Sequence, residues 1–407
     1  MWRRNFIWKI SSLLLGGGVA FLFQIATMRY LGPTGYGYWS LAIGWAGLFA
    51  VVVDYGFNPL LSRDIARHPT EAQSYLYALI KGKVILAFVA GLCLAATWRY
   101  LPAVSLSGML LTFAFIYLCT VSTAESLQAI TYALEYFRLG AFLSIFQKMV
   151  PALTGFCVIA IGGSENHLFF SLSSVSVLCI VLTFIFINRY MTNSKSTKSY
   201  SLMPLLTAGL PLFFQNLFIM VYFRVDTLMI GHYTNPAQAG IYSAAYRFFE
   251  LSNVIPTALM AAWIAPLSKE IETDPQTPMF YAALKVFFQF ALAGVLLLEG
   301  IAWISPYVLG AAYAAAAPVL HYLSFTLIFY YPNFLLTTML VILGRPSLNT
   351  LLAGSCMIFN VLINIWAIPR WGVTAAAFTT LATEGLLFGL SAFAVFTLRR
   401  AYLIKAA

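Results

Sequence analysis

Apolar residues arrive in runs of about twenty, divided by short polar breaks, from near the start of the chain almost to its end. An α-helix needs a run of that length to cross a hydrocarbon layer ~30 Å thick. Such runs differ from the narrower apolar stripe of a helix resting on a soluble core. About twelve can be drawn, over residues 10–30, 38–57, 76–98, 105–125, 139–162, 167–188, 205–231, 238–264, 280–304, 315–343, 348–368 and 373–398. The longest polar stretch, NRYMTNSKSTKSYS from Asn188 to Ser201, leaves six runs on each side. The pattern predicts an all-α polytopic membrane protein with a six-helix lobe over residues 1–190, a cytoplasmic linker over 191–203 and a second six-helix lobe over 204–407.

The halves repeat each other. A shift of about 203 residues lays Pro33, Gly37 and Ser40 on Pro236, Gly240 and Ser243, and a three-residue insertion then lays Leu61–Ile65 and Pro69 on Leu267–Ile271 and Pro275. An even number of spans per half starts both copies on the same side of the membrane, which predicts a parallel repeat with a pseudo-two-fold axis along the membrane normal.

Composition supports the pattern: 61% hydrophobic and 9% charged residues exclude a soluble protein of this length. The formal charge of +10 comes from residues scattered between apolar runs, not from a basic patch with interleaved aromatics, so no nucleic-acid partner is expected. The scatter carries topology instead, because short basic loops are retained in the cytoplasm. With the N-terminus inside, Arg3, Arg4, Lys9, Arg63, Arg67, Lys81, Lys83, Arg138, Lys148, Arg189, Lys195, Lys198, Lys269, Lys285, Arg345, Arg399, Arg400 and Lys405 fall on the cytoplasmic side. Only Arg29, Arg99 and Arg370 fall opposite, which predicts two cytoplasmic termini. The charged opening segment is expected to be a retained first helix. Five cysteines inside apolar runs without CxxC spacing and four scattered histidines give no metal site and no disulfide framework. Without a GxxxxGK[ST] loop there is no ATPase motif, and no cofactor is expected.

Against this background the stretch FRVDTLMIGHYTNPAQAGIYSAAYRFFE, residues 223–250, stands out, because it puts Arg224, Asp226, Arg247 and Glu250 at membrane depth. A charge there costs roughly 2.5 to 3.5 kcal/mol on insertion scales and persists where it faces protein or water with a task. In the first half the repeat places Phe21, Phe23, Gly44 and Gly47 at these positions, so the charges are not required by the repeat itself. Two readings are open: Arg224 neutralised by Asp226 and Arg247 by Glu250, as glue between helices, or an electropositive lining whose guanidinium forks grip phosphate. Glu384, near the middle of the last span, and Glu299, near the outer end of the ninth, are candidate proton or cation sites, or else buried hydrogen-bonded acids. Asp54, Glu125 and Glu135 fall near the cytoplasmic boundary, where a solvated or capping role is expected. Pro211, Pro256 and Pro332 fall inside spans, where proline favours a kink.

Five segments taken in order resemble the polysaccharide flippases, O-antigen exporters among them, of the multidrug/oligosaccharidyl-lipid/polysaccharide exporter superfamily. They are RYLGPTGYGYWS (29–40), DYGFNPLLSRDIAR (54–67), RVDTLMIG (224–231), AGIYSAAYRFFE (239–250) and NVLINIWAIPRWGVTAAAFTTLATE (360–384). The resemblance implies two six-helix lobes in a bacterial inner membrane and alternating access. It implies movement of an undecaprenyl-pyrophosphate-linked oligosaccharide, such as an O-antigen unit for lipopolysaccharide, from the cytoplasmic to the outer leaflet. On that reading Arg224 and Arg247 hold substrate, while Asp226, Glu250, Glu384 and Glu299 tune charge or couple transport to a proton or cation. A polysaccharide polymerase is an implied partner and membrane lipid an implied neighbour. The alternatives are a cation-coupled drug exporter of the same superfamily and an integral-membrane polysaccharide polymerase or acyltransferase. An enzyme is disfavoured because no large outside loop and no convergent His and acid pair are visible.

Overall fold

The computed structural model describes residues 2–100, 106–190, 202–273 and 278–406, and among them no strand occurs. The linker proposed at 191–203, with Lys195 and Lys198, lies outside the described residues except for its last two positions. Twelve α-helices follow in order: α1 (Trp2–Asp54), α2 (Phe57–Arg67), α3 (Ala72–Thr97), α4 (Gly108–Ala133), α5 (Phe137–Ala160), α6 (Glu165–Tyr190), α7 (Leu202–Tyr233), α8 (Pro236–Ser252), α9 (Val254–Thr273), α10 (Pro278–Leu309), α11 (Ala316–Ile342) and α12 (Pro346–Ala406). In a bilayer a helix satisfies its backbone within one segment, which is why runs this apolar fold this way.

Among the described residues ten helical stretches are long and apolar enough to cross a membrane. Two of them each carry two of the predicted spans. α1 breaks at Gly32 (φ 64°, ψ 178°) and α12 at Gly372 (φ 64°, ψ −143°), backbone geometry that glycine adopts without penalty. The expected spans 10–30 and 38–57 are thus the two arms of α1, and 348–368 and 373–398 those of α12. The span expected over 238–264 is divided into α8 and α9 at Asn253. Pro256 consequently lies in the first turn of α9, where its missing N–H breaks no helical bond, so the kink expected there is not needed. Pro211 and Pro332 do lie inside α7 and α11. The repeat is visible locally: Gly32–Pro33 breaks α1, and its counterpart Asn235–Pro236 divides α7 from α8, with Asn235 capping the new helix by accepting from Gln238 N at 3.0 Å. Large apolar side chains such as Phe88, Leu296 and Phe393 remain on the surface, a placement suited to hydrocarbon rather than water.

The chain forms two compact units, Met1–Arg224 and Val225–Ala407, and the division falls inside α7. In the first unit the short helix α2 buries Phe57, Leu60, Leu61 and Ile65 and turns Arg63 and Arg67 outward. Its apolar face joins a core with Leu76 and Leu79 of α3, Leu127 of α4 and Leu205 of α7. The link from α1 to α2 is tight: Tyr55 (φ 47°) and Gly56 (φ 71°) are both left-handed. A Cβ built on Gly56 would lie 2.4 Å from Leu212 Cβ, and one on Gly209 would lie 2.9 Å from the Tyr55 carbonyl oxygen. Gly56→Ala is therefore expected to destabilise the protein by about 1–3 kcal/mol, through left-handed strain and overpacking together. A lowered melting temperature in detergent would display it, and an unchanged one would show that α7 can retreat without loss.

Lys83, one of the residues expected in or near the cytoplasm, is buried within the first unit. It is 2% exposed, and its ammonium donates to the Val53 carbonyl oxygen at 3.2 Å, the Ser122 carbonyl oxygen at 3.2 Å and Ser122 Oγ at 2.7 Å. Charge counting treats every lysine near a span end as solvated, whereas this one turns inward to the Val53 carbonyl near the end of α1 and to Ser122 inside α4.

In the second unit α11 is central, packing against α8, α10 and α12. Its buried side chains Tyr331, Leu335, Leu336 and Met339 form the apolar centre, and the same helix brings Asn333 inward.

Candidate functional site

The polar groups of the second unit gather where the end of α7, the start of α8 and the two arms of α12 meet. Helix periodicity explains the placement. Asn360 and Asn364 on one arm, and Thr379 with Thr383 and Thr380 with Glu384 on the other, are pairs four residues apart on a common face. The break at Gly372 allows both arms to belong to one continuous helical stretch.

Asp226 is 4% exposed and accepts three hydrogen bonds from uncharged donors: Tyr242 Oη at 2.8 Å, Asn364 Nδ2 at 2.7 Å and Thr380 Oγ1 at 3.0 Å. Asn364 extends the chain, donating to Asn360 Oδ1 at 3.0 Å and accepting from Thr379 Oγ1 at 2.5 Å. Asn360 Nδ2 in turn donates to Thr383 Oγ1 at 3.3 Å. The next residue, Glu384, is 3% exposed and takes Asn333 Nδ2 on its carboxylate at 2.7 Å and on its main-chain oxygen at 3.1 Å. Amides and hydroxyls thus run without interruption from the Asp226 carboxylate to Thr383, the immediate neighbour of Glu384. Buried carboxylates held this way are costly to place and are supported by their donors.

Arg247 and Glu250 behave differently. They form an ion pair at 2.6 Å on one face of α8, and their side chains keep 23% and 22% exposure although most of α8 is buried. The i,i+3 spacing accounts for the contact. Arg224 is half-buried on α7, in the first unit. The Arg224–Asp226 pairing considered from sequence is not how Asp226 is held, because residues two apart on a helix face different ways. Glu299 on α10 lies apart from these groups, half-exposed, with His321 Nδ1 at 3.1 Å and the Ser324 hydroxyl as partners. Among the described residues no cluster of metal-ligating side chains occurs.

Of the candidates named from sequence, Asp226 heads a polar chain that ends at Thr383, Glu384 beside it is held by Asn333, Arg247 and Glu250 form a partly exposed ion pair, and Glu299 pairs with His321 and Ser324. Tyr242, Asn333, Asn360, Asn364, Thr379 and Thr380 were missed. Their signal was present in the i,i+4 pairs of Asn and Thr inside apolar runs, but uncharged polar residues are common enough in membrane helices to pass as packing.

The family profile of polysaccharide biosynthesis proteins matches residues 2–272. The chain belongs to that family. No curated protein sequence matches the chain. Among solved structures it is similar to the lipid II flippase MurJ in an inward closed conformation, at 14% identity over 96% of this chain and 87% of that one, TM-score 0.69. It is also similar to a eukaryotic MATE transporter at 12% identity over 100% and 99% of the two chains, TM-score 0.64. The Vibrio cholerae MATE transporter VcmN follows at 12% identity over 99% and 97%, TM-score 0.65. This member of the polysaccharide biosynthesis family is accordingly a multi-pass membrane protein with the fold shared by those transporters.

Proposed function

We propose that the protein is a flippase that carries a polyprenyl-pyrophosphate-linked oligosaccharide across a bacterial inner membrane by alternating access. The observation that carries the reading is the contrast between charge types within a polysaccharide biosynthesis family member. The Arg247–Glu250 pair keeps about a fifth of its side-chain surface exposed on a helix that is mostly buried, while Asp226 and Glu384 are buried, Asp226 among the uncharged donors Tyr242, Asn364 and Thr380. An accessible guanidinium can exchange its carboxylate for a phosphate at little cost, since both present two anionic oxygens to the same fork. Arg247 in the second unit and Arg224 in the first are each assigned a phosphate contact. Asp226 and Glu384 are assigned to coupling, because a deeply buried carboxylate changes the energy of its surroundings strongly when it gains a proton or a cation.

The test is reconstitution in vesicles loaded with a fluorescent polyprenyl-pyrophosphate oligosaccharide, with quenching of the outer-leaflet label as the readout. Wild-type protein is expected to flip the substrate faster under an imposed proton or sodium gradient, and Glu384→Gln is expected to flip with a flattened gradient dependence at normal membrane level. No flipping by the wild type, alongside gradient-driven efflux of a cationic dye, would favour the drug-exporter reading. Unchanged gradient dependence in Glu384→Gln would return that residue to packing.

A further inference from the structure

A second polar chain lies in the first unit, and no role has been assigned to it. Asp54, the last residue of α1, accepts Asn216 Nδ2 of α7 at 2.6 Å on one oxygen and Ser122 Oγ of α4 at 3.4 Å on the other. Ser122 Oγ is in turn held by Lys83 of α3, whose ammonium also takes the Val53 carbonyl oxygen and lies 5.9 Å from the centre of the Phe57 ring. Four helices thus converge on one carboxylate. The contact with α7 is reinforced around it, since Tyr55 stacks on Phe213 at 5.1 Å between ring centroids. Gly56 and Gly209 let the two backbones approach more closely than any side chain would permit.

The hydrogen bond is specific in a way the surrounding apolar packing is not. A carboxylate–amide bond 2.6 Å long fixes one rotation and one height of α7, whereas Tyr55, Leu212 and Phe213 could repack with the helix slid or turned. Lys83 ties the same node to α3 through Ser122. From Asn216 the helix runs on for eight residues to Arg224. At a 1.5 Å rise Arg224 lies about 12 Å beyond the contact. A helix pinned at Asn216 therefore has the height and facing of Arg224 set by the pin.

We propose that Asp54 and Asn216 form a clasp, braced by Lys83 and Ser122, that positions α7 for transport. This rests on the reading of Arg224 given above for its consequence in transport, but not for its consequence in α7 itself. Asp54 and Asn216 touch neither substrate nor coupling ion; they act through the helix they hold.

The experiment uses the full-length protein with its five cysteines replaced, one reporter cysteine at Val221, and the variants Asn216→Leu, Asn216→Asp and the exchange Asp54→Asn with Asn216→Asp, all compared at matched membrane level. Two readouts are taken: the rate of thiol labelling at the reporter without substrate, and flipping of the labelled lipid-linked sugar. Asn216→Leu is expected to change the labelling rate at least threefold and to lower flipping at least tenfold. Asn216→Asp, which sets two carboxylates against each other, is expected to lower it further. The exchange restores one donor and one acceptor across the same gap, so it should recover labelling and at least part of the flipping. Labelling unchanged by Asn216→Leu, or a failure of the exchange to recover it, would overturn the clasp. If labelling shifts and recovers as described while no variant and no wild type moves the lipid-linked sugar, the clasp stands and the flippase reading fails.

Discussion

Arg247→Gln is expected to reach the membrane at normal level and to lose sugar-lipid export by roughly ten- to a hundredfold. The first half follows from the geometry of the pair. Removing one member of a sealed ion pair costs about 3–5 kcal/mol because the other is stranded, but the Arg247 and Glu250 side chains retain 23% and 22% exposure. Water reaches the Glu250 carboxylate, so the loss should stay at about 1 kcal/mol, the range of screened pairs. The second half follows from what the guanidinium is proposed to hold. A hydrogen bond to a charged group is worth about 1.5–3 kcal/mol, which converts to roughly ten- to a hundredfold in rate if the contact is made as the substrate moves. Arg247→Lys should recover only part, since an ammonium has no fork. The decisive variant removes both charges, Arg247→Gln with Glu250→Gln. If the pair only joins helices, this double variant exports normally. If Arg247 holds phosphate, it accumulates normally and fails to export. Immunoblotting of membranes beside a surface-polysaccharide assay separates the outcomes, and Arg224→Gln is expected to follow the Arg247→Gln pattern.

The fold was legible in the sequence because its cause is one-dimensional. A run of about twenty apolar residues needs no knowledge of its neighbours to be read as a span, and even the helix breaks at Gly32 and Gly372 fall between runs already separated on the page. The charged candidates were legible for a similar reason, since Arg224, Asp226, Arg247 and Glu250 are conspicuous in apolar surroundings wherever they point. What could not be read was who meets whom. Asp54 and Asn216 are 162 residues apart, and Asp226 and Thr380 are 154 apart. Nothing in either neighbourhood foretells the other. Lys83 shows the same limit for a single residue: its position near a span end predicts solvent, and only the end of α1 and Ser122 beside it explain why it turns inward. The short helix α2 was missed for a related reason, because eleven amphipathic residues give no membrane-length run and their partners lie on other helices.

Asp226 is where substitution should separate coupling from architecture most cleanly. Its Oδ1 accepts from Asn364 Nδ2, and its Oδ2 from the hydroxyls of Tyr242 and Thr380. Asp226→Asn can keep its carbonyl oxygen toward Asn364 and present its amide to the two hydroxyls. Each hydroxyl can accept as well as donate, so the site remains satisfied. The variant also removes a buried charge, which lightens the desolvation cost. Membrane level and thermal stability are therefore expected to match the wild type. Asp226→Leu differs, because it leaves the Asn364 amide and two hydroxyls without their acceptor, at about 1–3 kcal/mol for each group that finds no other partner. Its level should fall. If the carboxylate serves only to organise α7, α8 and α12, Asp226→Asn transports as the wild type does. If it binds the coupling proton or cation, the variant loses at least tenfold of its gradient-driven flipping while retaining the slower exchange expected without a gradient. The measurement is the ratio of flipping rates with and without an imposed gradient in reconstituted vesicles. A ratio that drops to one in Asp226→Asn, with stability unchanged, assigns the charge to coupling; a preserved ratio assigns it to the helix junction alone.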